Sequence, residues 1–247
     1  MPSIPNAQSP RFFVRFVYDK SMPAIQLQHL TKIYPGGIRA VEDFSLDIAD
    51  GERIALVGPS GCGKTTTLRM IAGLEMPTGG TILLDGRPLD PLPAKDRDVA
   101  MVFQSSALYP NMNVRKNLGF SLKLRGTAKA EIERRTAEAA ERLGLSDLLD
   151  RKPWELSGGQ RQRVALGRAL VRRAKILLLD EPLAHLDEEL AEQLRREIVR
   201  LQEELRVTMI HVTHDRAEAR AIAHRVVALR DGRVRSVESA ADGVVAG

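Results

Sequence analysis

The spacing of apolar and polar positions along this chain switches repeatedly between a period of two and a helical period. Ile25, Leu27 and His29 alternate with polar neighbours, which predicts a half-buried strand over 25–30. Pro35-Gly36-Gly37 predicts a turn, and Phe44-Ser45-Leu46-Asp47-Ile48 alternates again before Asp50-Gly51, a hairpin signal. Residues 53–57 form a β-rich run that enters a glycine loop, and 65–72 read as helix. Strands are predicted at 82–84, ending in Asp85-Gly86, and at 99–103. A helical stretch follows, clearest over 128–143, where Ala, Glu, Arg and Leu are good helix formers. Ser157 stands at the start of a helix running to about Arg173. Residues 176–179 are wholly apolar, as buried parallel strands are. Residues 188–205 form a charged amphipathic helix, and 207–212 and 226–229 are further strands. The order gives an α/β core with a helical insertion between about Gln104 and Gly158.

Composition narrows the class. Hydrophobic residues make up 43% and charged residues 28% of 247 positions, an ordinary globular balance for one large α/β domain. No run reaches the roughly 18 apolar residues of a membrane-spanning helix, so action at a membrane requires a partner. The net charge of +5 is scattered, with a local cluster at Arg161, Arg163, Arg168, Arg172 and Arg173, and reads as a mildly basic enzyme with no nucleic-acid partner. The single cysteine, Cys62, excludes an internal disulfide and fits a reducing compartment. Residues 1–23 differ in composition from the rest and are expected to be a disordered extension, with Met22 a candidate start. Residues 238–247 are expected to be a flexible tail.

Gly58-Pro59-Ser60-Gly61-Cys62-Gly63-Lys64-Thr65, followed by Thr66, is a phosphate-binding loop set between a strand and a helix. Its glycines allow unusual backbone angles and close approach of amides to phosphate. The helix that follows turns its positive end toward the same anion. Lys64 adds a full charge for the β- and γ-phosphates of a nucleotide, and Thr65 a hydroxyl for Mg²⁺; the motif alone does not choose between kinases, GTPases, transporters and motors. Cys62 reads as a small buried filler. The apolar run 176–179 ends in Asp180-Glu181. A parallel strand delivers its last residues to the sheet edge where the phosphate loop lies. Asp180 is therefore expected to hold Mg²⁺, and Glu181 to act as general base on the attacking water.

Leu156-Ser157-Gly158-Gly159-Gln160 brings a third element, a serine-capped helix start with two glycines, which is a second anion site. With these three motifs in this order the chain resembles the ATP-binding cassette (ABC) family, whose signature is LSGGQ. The resemblance implies a P-loop NTPase core of RecA-like type with an antiparallel β subdomain and the helical insertion at about 104–164. It covers about 24–237. It also implies that Ser157, Gly158, Gly159 and Gln160 close over ATP held by a second copy, in a head-to-tail dimer. Further matching positions are Tyr34 as the aromatic on adenine, Gln104 as a contact to Mg²⁺ and water, His214 as the γ-phosphate histidine, and Asp187 at the dimer seam. His29, His185, His211 and His224 receive no functional role.

The closest likeness is to ATPase subunits of bacterial carbohydrate and maltose-type importers, carried by Ala107-Leu108-Tyr109-Pro110, the run from Arg161 and Asp180-Glu181-Pro182-Leu183. It implies transmembrane permease subunits, with residues 107–117 receiving a helix from them. It also implies an extracytoplasmic solute-binding protein and a peripheral place on the cytoplasmic face of the membrane. Two departures stand out. Ala184 occupies a position where the family often has serine, and the regulatory β domain of the carbohydrate type is expected to be lacking, since only 233–247 follow the cassette. An ABC ATPase of DNA repair or translation is the alternative. The 93 positions between Lys64 and Ser157 leave no room for the long coiled coil of chromosome-type members.

Overall fold

The computed structural model describes residues 23–184 and 186–240; the expectations for 1–22, for His185 and for 241–247 lie outside the described residues. Strands β1 (Pro23–Tyr34) and β2 (Ile38–Ala49) pair antiparallel across the Pro35-Gly36-Gly37 turn, where both glycines take positive φ. The alternation predicted for the first strand breaks at His29. The core takes Leu27 and Leu30, three apart, and His29 is exposed. A bulge absorbs the odd residue. His29 and Asp43 both sit at positive φ, at 52° and 51°, and their side chains meet at 2.7 Å across the strand pair. The matching irregularity in β2 keeps Val41 and Phe44 inward.

Asp50-Gly51 does not close a hairpin. It passes the chain from the antiparallel sheet to a second sheet, because Gly51 is tied to distant groups: its N–H donates to Thr208 Oγ1 at 3.0 Å and its carbonyl accepts from Gln202 Nε2 at 2.8 Å. Strand β3 (Arg53–Val57) follows, then helix α1 (Lys64–Ala72), which a left-handed Gly73 ends. Strands β4 (Gly79–Leu84) and β5 (Arg87–Pro88) form the hairpin at Asp85-Gly86 and complete a four-stranded sheet in the order β2-β1-β4-β5. Strand β6 (Val99–Val102) leads to the helical insertion of α2 (Val114–Leu124), α3 (Lys129–Arg142) and α4 (Gly158–Arg172). Then come β7 (Ile176–Asp180), α5 (Glu188–Leu205), β8 (Thr208–Thr213), α6 (Arg216–Ile222), β9 (Arg225–Arg230) and β10 (Arg233–Ser239).

The second sheet runs β10-β9-β3-β8-β7-β6, parallel from β9 to β6, with β10 antiparallel at its edge. Strand β10 carries the fold two residues past the expected boundary at 237. All five residues of β7 are buried, the four of the apolar run 176–179 as predicted and Asp180 with them. One core lies between the two sheets around Phe44, Ile54, Leu68, Ile71 and Leu178. Another joins the insertion to the sheet through Leu118, Leu143, Val164, Leu166 and Ile198. Burying each such aliphatic side chain contributes about 1.5–3 kcal/mol. Among the described residues, no helix is long and apolar enough to cross a membrane.

Candidate functional site

The phosphate loop leaves β3 at the carboxyl edge of the parallel strands, flanked by β8 and β9. Two of its glycines are required by contact. A Cβ on Gly58 (φ 154°) would lie 2.2 Å from the Leu229 carbonyl oxygen, and one on Gly63 (φ 104°) 2.3 Å from that of Ala40. Gly61, also at positive φ, faces open space. Pro59, Ser60 and Gly61 are exposed, whereas Cys62 is buried and its carbonyl accepts from Gly232 N at 3.2 Å. No side chain caps α1 and its first turn holds no acidic residue, which leaves its leading amides to an anion. The Lys64 ammonium is buried within the loop and donates to the Gly58 and Pro59 carbonyls at 2.7 and 3.0 Å. Thr65 and Thr66 are half-buried behind it.

Asp180, the last residue of β7, accepts from Thr65 Oγ1 at 2.8 Å. Burial pushes its carboxyl above the usual carboxylate range; the Thr65 hydrogen bond opposes that, and the neighbouring Glu181 adds to it. Glu181 takes a left-handed backbone, φ 46°, a conformation that costs a non-glycine residue about 1–3 kcal/mol. It is held there by its N–H on the Val212 carbonyl at 3.0 Å and by its own carbonyl, which accepts from Ala184 N at 3.2 Å. Its Oε2 receives Gln104 Nε2 at 3.4 Å and stands 3.6 Å from His214 Nδ1. Three strand ends, those of β6, β7 and β8, thus bring Gln104, Glu181 and His214 around one carboxylate oxygen.

Ser157 caps α4 and forms a reciprocal capping box with Gln160: Gln160 N donates to Ser157 Oγ at 3.3 Å, and Ser157 N to Gln160 Oε1 at 2.9 Å. Gly158 is exposed, but Gly159 is buried, and a Cβ there would come within 2.5 Å of Leu190 on α5. Gly159 therefore also has a packing role, since only a residue without a side chain lets the two helices touch there. Asp187 caps α5 by accepting from Leu190 N at 2.9 Å. Tyr34 ends β1, half-buried, with the Lys32 ammonium 5.0 Å from its ring centroid.

Within 107–117 one expectation changes. Asn117 is buried and its amide is consumed internally, bonding to the backbone of Tyr109, Met112 and Asn113, so it shapes this loop from behind and cannot meet a partner. Ala107, Pro110, Asn111, Arg115 and Lys116 are the exposed residues of this stretch. Arg168, unassigned from sequence, stacks its guanidinium 4.6 Å from the Tyr109 ring and donates to the Ala107 carbonyl. Of the histidines given no role, His29 pairs with Asp43 and His224 accepts from Arg53 N at 3.0 Å. His211 is fully buried against Glu218.

A hydroxyl, a carboxylate and an amide oxygen from Thr65, Asp180 and Gln104 are hard oxygen donors that suit Mg²⁺. Among the described residues no cluster of three His, Cys, Asp or Glu could hold a metal ion. The open positive-φ Gly61, the uncapped helix and Lys64 suit a polyphosphate.

Residues 41–184 match the family model described as ABC transporter. The putative uncharacterized ABC transporter ATP-binding protein YcjV of Escherichia coli (strain K12) is 55% identical over 216 residues, 87% of this chain and 60% of that one. The oligosaccharides import ATP-binding protein MsmX of Bacillus subtilis (strain 168) is 52% identical over 221 residues, 90% of this chain and 60% of that one. The chain spans about 60% of the length of these curated relatives. Among solved structures, the dimeric ATP-binding cassette MJ0796, a bacterial ABC transporter cassette bound to ADP and Pi in a post-hydrolysis state, is similar with a TM-score of 0.79 at 33% identity, over 87% of this chain and 98% of that one.

Proposed function

This chain belongs to the ABC transporter family and has the P-loop NTPase fold of its nucleotide-binding domains, and from that premise we propose that it is the ATP-hydrolysing subunit of an import system. The observation that carries this reading is the gathering of Gln104 and His214 around Glu181, next to the Thr65–Asp180 pair and Lys64. In this reading residues 24–237 are the nucleotide-binding domain. Tyr34 stacks on adenine, and Gly58 to Thr66 wrap the phosphates by their amides and Lys64. Thr65, Asp180 and Gln104 would hold Mg²⁺, which would supply positive charge to the phosphate being transferred. Ser157, Gly158 and Gly159 at the start of α4 meet the γ-phosphate held by a second copy, while Gln160 keeps Ser157 in place and Asp187 stands at the seam. The dimeric MJ0796 cassette supports that arrangement.

Hydrolysis then needs little covalent chemistry from the protein. Glu181 accepts a proton from water as the water oxygen bonds to the γ-phosphorus and the bond to the ADP oxygen breaks. His214 and Gln104 hold that water and the carboxylate in line. Loss of the shared phosphate lets the two copies part, and permease helices seated near 107–111 convert this into a transport stroke. The system acts at the cytoplasmic face of a membrane, with a solute-binding protein outside and no nucleic acid. The name of MsmX supports a carbohydrate-class solute, broader than maltose alone. The test is to isolate the chain with its native membrane companions and measure phosphate release from ATP with and without magnesium. Release that requires magnesium, together with a co-purifying permease, is expected. A companion-free chain bound to nucleic acid would overturn the transport reading, and a complex that binds no ATP would overturn the whole.

A further inference from the structure

Strand β8 forms one wall of the site. Its Val212 carbonyl holds Glu181 N, and His214, just past its end, stands beside Glu181 Oε2. The His214 side chain is two-thirds exposed, so packing does little to aim it. Its direction depends on the backbone of residues 213–215. The residues flanking Val212 point to the opposite side of the strand. There both reach one carboxylate on α6. His211 Nε2 lies 2.6 Å from Glu218 Oε1, and Thr213 Oγ1 donates to Glu218 Oε2 at 3.1 Å. Nδ1 of His211 meets no partner among the described residues, so the ring proton sits on Nε2 and is donated to Glu218. Thr213 Oγ1 in turn accepts from Asp215 N at 3.1 Å. Asp215 caps α6 by accepting from Ala217 N and Glu218 N at 2.7 and 3.3 Å. His211 and Thr213 are buried at 0% and 2% exposure.

The loop carrying His214 is therefore closed into a ring running Glu218, Thr213, Asp215 and back to α6. Each oxygen of Glu218 has its own donor, so the carboxylate fixes two positions of β8 on either side of Val212. We propose that Glu218 is a positioning residue for ATP hydrolysis. Through Thr213 and His211 it sets the end of β8, and so the placement of His214 and of the backbone acceptor that keeps Glu181 left-handed. The proposal rests on the hydrolysis reading above. A displacement of about 1 Å at reacting groups can cost roughly 10²-fold in rate, so losing this brace shows in turnover before it shows in nucleotide binding.

The test uses the native complex with Glu218→Gln, Thr213→Val and Thr213→Ser. Glutamine presents N–H₂ to one of two donors, valine removes the hydroxyl, and serine restores it. Expected are a fall in kcat of about 10- to 100-fold for E218Q and T213V with ATP affinity near that of the unsubstituted complex, and recovery in T213S. Should E218Q fail to fold, the Thr213 pair carries the comparison. Unchanged kcat in E218Q and T213V overturns the proposal. So does a joint loss of kcat and ATP affinity with T213S no better than T213V, which is the mark of general loosening. An unsubstituted complex that binds ATP but releases no phosphate overturns the hydrolysis reading, and this proposal with it.

Discussion

Thr65 Oγ1 donates to Asp180 Oδ1 at 2.8 Å, joining the first turn of α1 to the end of β7 across 115 positions of sequence. Burial already disfavours the charge on Asp180, which raises its carboxyl above the ordinary range. A raised carboxyl contributes stability below its unfolded pKa and loses that contribution as pH rises through the folded value. Ionising the group therefore carries a desolvation cost that Thr65, Arg69 and Lys64 partly offset and that a bound cation would offset further. Asp180→Asn keeps an acceptor for Thr65 and removes the charge. Its melting temperature at neutral pH is expected to equal or exceed that of the unsubstituted chain. Its magnesium-dependent phosphate release is expected to fall by at least about 100-fold, beyond the 10–100-fold typical of outer-sphere changes. A thermal melt and a phosphate assay on one preparation check both halves.

Glu181→Gln is isosteric, leaves the backbone bonds to Val212 and Ala184 intact, and removes the group able to take a proton. Losing a general base lowers rate by about 10²- to 10⁴-fold. The variant is expected to bind ATP as before, to turn over that much more slowly, and to remain paired in the presence of ATP. Single-turnover kinetics and sedimentation read the two effects separately. Full turnover would remove Glu181 from its role.

The two glycines of the signature give opposite expectations. Gly158 has its nearest neighbours at 3.8 and 4.0 Å from a built Cβ, whereas Gly159 would drive one to 2.5 Å from Leu190. Overpacking typically costs about 1–3 kcal/mol. Gly159→Ala is therefore expected to lower unfolding stability by that amount. Gly158→Ala, at an exposed helix start, should leave stability unchanged and lower ATP-dependent pairing instead. Chemical denaturation of both variants, followed by sedimentation with ATP, separates packing from surface function.

Much of this was legible in the sequence, for physical reasons that also mark where reading stopped. The phosphate loop, the buried run ending in Asp180 and Glu181, and the Ser157 cap each depend on local chemistry, so local sequence announces them. Strand β7 is apolar from Ile176 to Leu179 because both its faces are covered, and that is visible residue by residue. The bulge at His29 and Asp43 was not, since only the partner strand reveals that Leu30, not His29, points inward. Asp50-Gly51 carries hairpin chemistry, yet its fate is decided by Thr208 and Gln202, more than 150 positions away. Short elements such as β5 and α6 lack the length for a periodic signal. The role of Glu218 likewise depends on two side chains of β8 sharing one face, which spacing suggests only once the strand is known to end there.

His224 offers a prediction away from the site. It follows α6, and its Nδ1 accepts from the Arg53 N–H at 3.0 Å, where β3 begins. Burial, followed by the nearby Arg53 charge, lowers its pKa from the ordinary 6.5 to about 4. The folded chain thus holds the ring neutral, while the unfolded chain protonates it below pH 6.5. Because the unfolded state binds more protons between pH 6.5 and about 4, stability falls as pH falls through that window and is fully present above it. The full shift corresponds to about 3 kcal/mol as an upper figure, at 1.36 kcal/mol per pH unit. His224→Gln can offer its side-chain oxygen to Arg53 N without titrating. Urea unfolding at pH 7 and pH 4.5 is expected to show a loss on acidification that is smaller in the variant than in the unsubstituted chain. Equal losses would mean that the imidazole is already protonated in the folded state, and that Arg53 N takes its acceptor elsewhere.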